Sequence, residues 1–142
     1  MIFRRMTEND LDKVAAMEKE IFSMPWSKES FQDSLLQNYS YFFVAEEEEV
    51  IGYCGVHNFG GDGEITNVAV DKNARHKGIA TRLLQYAMEE TKKIGVEAFT
   101  LEVRISNMSA IGLYEKLGFE NQGIRKNFYE NPVEDAMIMW KI

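Results

Sequence analysis

A short apolar segment that runs through a basic turn into an amphipathic helix constrains this chain more than any other feature. Val68, Ala69 and Val70 predict a strand, and Gly78 interrupts the turn that follows. Helically spaced apolar residues then continue as far as Gly95: Ile79, Leu83, Ala87, Thr91 and Ile94. The strand would therefore lead into the open N-terminus of a helix. Free N–H groups and the helix dipole make such an end an anion site.

The charges around this turn point in the same direction. Residues 71–82 contain one acidic residue, Asp71, and the basic residues Lys72, Arg75, Lys77 and Arg82, although the net charge of the chain is −7. A basic turn in an acidic chain indicates an anionic ligand, and a solvated basic loop is the alternative. The overall negative charge argues against direct nucleic-acid binding.

Length predicts one domain over residues 1–142, and the order of its predicted strands and helices makes it an α/β domain. No apolar run approaches a membrane span, and no hydrophobic region of a signal peptide follows Arg4 and Arg5, so no membrane partner is expected. Cys54, the single cysteine, cannot form an internal disulfide. We expect a reducing, cytoplasmic location and a buried, inert thiol, with a nucleophilic thiol as the alternative.

Apolar periodicity and turn residues predict a β-α-α-β-β-β-α-β-α-β-β order. The strands are predicted over residues 2–6, 41–45, 50–57, 64–70, 99–103, 119–129 and 134–142. Ser27 and Asn107 are the predicted N-caps of the second and fourth helices. The strands on either side of the long helix should pair in parallel. The order thus predicts a mixed, mostly antiparallel sheet of about seven strands with helices on both faces, and no P-loop or dinucleotide fingerprint is present.

The basic turn also carries a recognisable spacing. Arg75-His76-Lys77-Gly78-Ile79-Ala80 fits Arg-x-x-Gly-x-Ala, which is a weak pattern alone but a stronger one between a strand and a helix. It resembles the acetyl-CoA signature of the GNAT N-acetyltransferase superfamily, and the predicted element order is similar to that fold over essentially the whole chain. Ala80 stands where the tightest form of the pattern has glycine, a change that should barely affect cofactor binding.

Further segments narrow the resemblance to the RimI-like ribosomal-protein-alanine N-acetyltransferases. These segments are residues 22–27 (Phe-Ser-Met-Pro-Trp-Ser), 101–107 (Leu-Glu-Val-Arg-Ile-Ser-Asn), 127–129 (Asn-Phe-Tyr) and 134–139. The resemblance implies a GNAT-type fold, acetyl-CoA as cosubstrate and no metal. It also implies that the acceptor is a protein or peptide N-terminus, namely that of a small-subunit ribosomal protein. His57 and His76 are too isolated to predict a metal site.

The resemblance further implies which residues bind acetyl-CoA. They are Val68, Ala69 and Val70 through their backbone, then Arg75, His76, Lys77, Gly78, Ile79, Ala80, Thr81 and Asn107. Asn107 can cap a helix and contact the cofactor at the same time.

Two residues are candidates for acid–base chemistry. Glu102 alternates with apolar residues on a predicted strand, where it is either a general base or a half-exposed carboxylate paired with Arg104. Tyr114 has the spacing of a core tyrosine, while the resemblance implies a general acid that protonates the departing thiolate. An α-amine, with a pKa near 8 against about 10.4 for lysine, is the easier acceptor to deprotonate.

The acceptor side is less well defined by the sequence. Pro25, Trp26, Phe31 and Tyr129 are the predicted substrate-binding residues, although Pro25 and Trp26 could equally form a packing corner. The acidic run of residues 46–49 is predicted to be a solvated hairpin tip, with a site for basic peptides as the alternative. Because the Gly-rich loop of residues 60–63 has no counterpart in the resemblance, acceptor specificity stays open. A GNAT enzyme acting on a small amine or lysine, and a non-catalytic acyl-CoA-binding module, are the competing functions.

Overall fold

The computed structural model describes residues 1–142, and seven of its segments form one mixed sheet. The strands are β1 (Ile2–Arg5), β2 (Ser40–Glu47), β3 (Glu49–Phe59), β4 (Asp62–Val70), β5 (Ala98–Arg104), β6 (Glu120–Tyr129) and β7 (Glu134–Lys141). The helices are α1 (Leu11–Ile21), α2 (Lys28–Leu35), α3 (Ile79–Lys92) and α4 (Met108–Lys116). The predicted order of strands and helices is confirmed.

The strands lie side by side in the order β1-β2-β3-β4-β5-β7-β6, and only β4 and β5 pair in parallel. This confirms the predicted parallel pair, because α3 provides the long crossover that parallel strands need. The acidic residues 46–49 form the tip of the β2–β3 hairpin, as predicted, with Glu48 between the two strands.

Strand alternation divides the apolar residues between the two faces of the sheet. On β2, Phe42 and Val44 pack in one cluster with residues of α1 and α2, whereas Phe43 and Ala45 pack in the other with residues of α3 and α4. Helices thus cover both faces, as predicted.

Local signals place the helix ends. The Ser27 side chain accepts a hydrogen bond from the Ser30 N–H at 3.1 Å, and the Asn107 side chain accepts one from the Ala110 N–H at 3.2 Å, which confirms both predicted N-caps. The prediction for Ile94 is wrong: α3 ends at Lys92, and Ile94 is 47% exposed. The chain turns there ahead of Gly95, whose φ is +108°.

The sheet opens in its middle, and this opening positions the site. β4 and β5 pair only at Asp62–Ala98, Gly63–Phe99 and Glu64–Thr100. Beyond these pairs the two strands separate. β4 also bulges, because two of its residues, Asn67 and Val68, lie opposite Cys54 of β3. No helix of the structure is both long and apolar enough to cross a bilayer.

Candidate functional site

A cavity of about 1370 Å³ occupies the opening between β4 and β5. Its walls are residues 64–70 of β4, residues 101–104 of β5, the turn before α3 and one side of α4. The α1–α2 loop (residues 22–27) and the β6–β7 loop (residues 130–133) also contribute lining residues. One cavity therefore joins the predicted anion site to the predicted acceptor residues.

The free edge of β4 forms the floor of this opening. After Glu64 no strand pairs with that edge, while β3 occupies the other edge. Backbone groups on this edge near Val68 and Val70 are therefore available to a ligand, as at other exposed strand edges. The exception is the Val70 carbonyl, which accepts a hydrogen bond from Arg75. Ala69 and Val70 are buried on opposite faces of the sheet, so their side chains belong to the two cores.

The basic turn (residues 75–81) places a helix N-terminus on the cavity. His76 and Gly78 have φ values of +64° and +75°, and no atom lies within 4 Å of the position that a Cβ on Gly78 would take. The Arg82 N–H makes the first helical bond, to the Gly78 carbonyl at 3.1 Å, which leaves the N–H groups of residues 79–81 without helical acceptors. Free donors and an open backbone are what an anion requires.

Side chains of the basic turn differ in their access to the cavity. Arg75 lines it and donates its Nε–H to the Val70 carbonyl at 3.2 Å, which ties the turn to the end of β4. His76, Gly78, Ile79, Ala80 and Thr81 also line the cavity. Lys77 is exposed and lies outside the lining, so its predicted cofactor contact has no support in this geometry.

Glu102 lies on β5 with its carboxylate at the cavity. It accepts a hydrogen bond from Arg125 of β6 at 3.2 Å. The alternative that paired it with Arg104 is wrong, because Arg104 pairs with Glu134 at 3.2 Å. Glu102 therefore lies in a polar, partly accessible environment at the cavity.

Tyr114 belongs both to the core and to the cavity wall. It is 8% exposed, and burial, followed by the effects of Tyr129 and Cys54, raises the pKa of its hydroxyl well above the ordinary value. Its phenol is therefore protonated at neutral pH and available as a donor. Cys54 is buried as predicted, and burial raises the pKa of its thiol to about 12, which disfavours a nucleophilic thiolate.

The predicted acceptor residues do not all reach the cavity. Trp26 and Tyr129 line it, whereas Pro25 is exposed outside the lining. The prediction for Phe31 is wrong: its side chain is 0% exposed and packs behind Trp26, with ring centroids 5.3 Å apart. Its helical spacing marks a core position, so Phe31 can support Trp26 but cannot touch a substrate.

Arg104 holds the two loops of the acceptor side together. It donates to the carbonyls of Glu130 and Pro132 at 2.9 Å each, and to Ser23 of the α1–α2 loop at 3.5 Å. Its guanidinium also lies 4.4 Å from the centre of the Tyr129 ring. Burial raises the pKa of the Tyr129 hydroxyl to about 12, with nearby Glu102 as the second cause.

The sequence did not identify two residues of the cavity wall, Arg104 and Glu18, as candidates. The sequence suggests only Glu102 as a partner of Arg104, because the residues that Arg104 contacts are 26 to 81 residues away in the chain. Glu18 lies in the cavity wall although it is a carboxylate on the apolar face of α1. Its position between Val14 and Ile21, four residues after one and three before the other, is a signal that could have identified it.

Comparison with known proteins identifies consistent relatives. The Acetyltransferase (GNAT) family model matches residues 11–119. A Bacillus subtilis (strain 168) protein, provisionally named a ribosomal protein bS18-alanine N-acetyltransferase, is 40% identical, with 96% of this chain and 92% of that protein covered. The Escherichia coli (strain K12) ribosomal protein bS18-alanine N-acetyltransferase is 33% identical, with coverage of 92% and 89%.

A solved structure agrees with the sequence relatives. The crystal structure of the ribosomal-protein-S18-alanine N-acetyltransferase from Escherichia coli matches with a TM-score of 0.89 and 29% identity. The match covers 99% of this chain and 92% of that one.

Proposed function

Since this chain belongs to the GNAT acetyltransferase family, we propose that it moves the acetyl group of acetyl-CoA to the N-terminal α-amine of a protein. The proposed acceptor is the N-terminal alanine of a small-subunit ribosomal protein, the substrate class named for its relatives. One observation carries the proposal: Glu102, Tyr114 and the free N-terminus of α3 line one cavity.

The residues of the basic turn fit the pyrophosphate of acetyl-CoA. The open space above Gly78 and the unpaired N–H groups of residues 79–81 supply an anion site without a side chain in the way. Asn107 lines the same cavity while its side chain caps α4. Acetyl-CoA supplies the activated acetyl thioester, and the free edge of β4 near Val68 and Val70 would polarise its carbonyl.

Proton transfer falls to two side chains of the cavity. The Glu102 carboxylate would accept a proton from the acceptor ammonium, directly or through a water molecule, so that the amine can attack. The Tyr114 hydroxyl would donate its proton to the departing thiolate. A phenol is protonated at neutral pH even at its ordinary pKa near 10, and burial raises the pKa of Tyr114 further, so that proton is present.

No enzyme nucleophile takes part in this scheme. The amine itself forms the new C–N bond, and the C–S bond breaks as the thiolate leaves. The thiol of Cys54 is buried and disfavoured as a thiolate, which supports direct transfer within a ternary complex.

A peptide assay tests the proposed acceptor. A peptide with a free N-terminal alanine and an internal lysine is incubated with acetyl-CoA and the protein, beside the same peptide with a blocked N-terminus. We expect one acetyl group on the N-terminus of the free peptide and none on the blocked peptide. Equal acetylation of both would favour the lysine alternative. Acetyl-CoA binding without any turnover would favour the non-catalytic module.

A further inference from the structure

Glu18 is the most deeply buried carboxylate of the cavity wall, at 2% exposure. The other strongly buried acid, Asp10, pairs with Arg4 at 2.8 Å. Glu18, by contrast, takes part in none of the ion pairs of the structure. A buried charge without a counter-charge is costly unless hydrogen bonds replace its water shell, so its donors explain why it is tolerated.

Three neutral donors surround the Glu18 carboxylate. The Tyr53 hydroxyl donates to Oε1 at 2.8 Å, and the backbone N–H of Trp26 donates to Oε2 at 3.0 Å. The Asn67 side-chain amide donates to Oε2 at 3.3 Å. These donors belong to three separate segments, namely β3, the α1–α2 loop and the bulge of β4.

The donors connect the two sides of the cavity. Trp26 belongs to the α1–α2 loop on the acceptor side, whereas Asn67 directly precedes Val68 on the edge of β4 that would polarise the thioester. Asn67 has a φ of +51°, so its conformation needs support from its surroundings. Glu18 is the one side chain that accepts hydrogen bonds from both Trp26 and Asn67.

We propose that Glu18 is a positioning residue that fixes the α1–α2 loop relative to the bulge of β4, and thereby aligns the acceptor peptide with the thioester. The significance of this alignment rests on the proposed function, but the connection itself does not. A carboxylate suits the task because its two oxygens accept all three hydrogen bonds. Glutamine offers one oxygen and would leave at least one donor without its acceptor, and alanine would leave all three.

The first test is independent of activity. Amide hydrogen exchange at Trp26, followed by NMR, reports directly on the bond to Glu18. We expect exchange to accelerate at least about tenfold in Glu18→Ala and by a smaller factor in Glu18→Gln, since a buried donor loses its acceptor. Glu20→Gln is the matched control, because Glu20 is an exposed carboxylate of the same helix. Unchanged exchange at Trp26 in both Glu18 variants would overturn the proposal.

The second test uses KM values to distinguish a positioning role of Glu18 from a direct contact between its charge and the acceptor amine. The KM for the alanine peptide should rise about tenfold or more in Glu18→Ala and less in Glu18→Gln, while the KM for acetyl-CoA stays within about twofold. Equal losses in the two variants would instead indicate that the charge contacts the acceptor amine. Faster exchange with an unchanged peptide KM would also contradict a positioning role. If the wild type acetylates no alanine peptide, the proposed function fails while the exchange result still decides the connection.

Discussion

The basic turn and the two loops of the acceptor side line the same cavity, yet different contacts hold them in place. The basic turn relies on backbone: left-handed residues, an open helix N-terminus and one bond from Arg75 to the Val70 carbonyl. The acceptor loops rely on two charged side chains, Glu18 and Arg104, whose partners are distant in the chain. We call the basic turn (residues 75–81) the donor half of the site, because it faces the proposed acetyl donor, and the two loops (residues 22–27 and 130–133) the acceptor half. The donor half can thus form from local sequence, whereas the acceptor half depends on the assembled fold.

We expect the largest effect, a loss of kcat, from substitutions of the two proposed acid–base residues. Tyr114→Phe deletes the proposed proton donor and keeps the ring, so kcat should fall about 10²- to 10⁴-fold, the usual contribution of acid–base groups. Both KM values should change little, and Glu102→Gln should behave similarly. Steady-state kinetics with calorimetric binding of acetyl-CoA checks this. A variant with full kcat would remove that residue from the mechanism.

Loss of Arg104 should affect the acceptor half alone. Arg104→Ala removes donors to Glu130, Pro132 and Glu134, so we expect the peptide KM to rise about 10- to 100-fold, the range for lost charged hydrogen bonds. Arg104→Lys should restore only part of the affinity for the peptide, because an ammonium group lacks the planar fork of arginine.

Arg4→Ala is the matched control for this experiment. Arg4 also bonds to two carboxylates, those of Asp10 and Glu46, but it does not line the cavity. Its loss should lower the melting temperature and leave the peptide KM unchanged. A rise in the acetyl-CoA KM of Arg104→Ala as large as that in the peptide KM would break the division between the two halves.

A change at Gly78 should affect the donor half alone. Gly78→Ala adds a methyl group where space is open, so its cost is the strain of a left-handed alanine, about 1–2 kcal/mol. If the turn moves to relieve that strain, the acetyl-CoA KM should rise about 5- to 30-fold with little change in the peptide KM. Gly95→Ala, also at positive φ but outside the cavity lining, supplies the control. Equal kinetic effects of the two substitutions would contradict a role for the turn.

The smallest expected effect is a pH dependence of the acceptor half. Hydrogen bonds from Ser106, and then the nearby Arg104, lower the pKa of Glu134 below its ordinary value. Its stabilising contribution is therefore fully present above the unfolded-state pKa, about 4.3, and is lost as the pH falls through the lower folded-state pKa. The difference in melting temperature between wild type and Glu134→Gln should shrink over that acidic range. A difference that is independent of pH would contradict this assignment.

The sequence alone predicted those features of the fold that depend on residues close together in the chain. Ser27, Asn107 and Gly78 mark helix ends through caps and a left-handed turn, which is why the element order agrees with the structure. The predicted contact of Phe31 is wrong because its helical spacing marks a core position, and its side chain is buried. The predicted contact of Lys77 lacks support because a side chain of a turn can face solvent instead of the cavity. The partners of Arg104 and Glu18 could not be predicted, since only tertiary packing brings them together.

The most direct test of the central claim is intact-mass spectrometry of small-subunit ribosomal proteins from cells that lack this chain. We predict that one protein with an N-terminal alanine loses its acetyl group in these cells. Wild-type protein should restore that group, and the Tyr114→Phe variant should not. Unchanged N-terminal acetylation of every small-subunit ribosomal protein would contradict the proposed function.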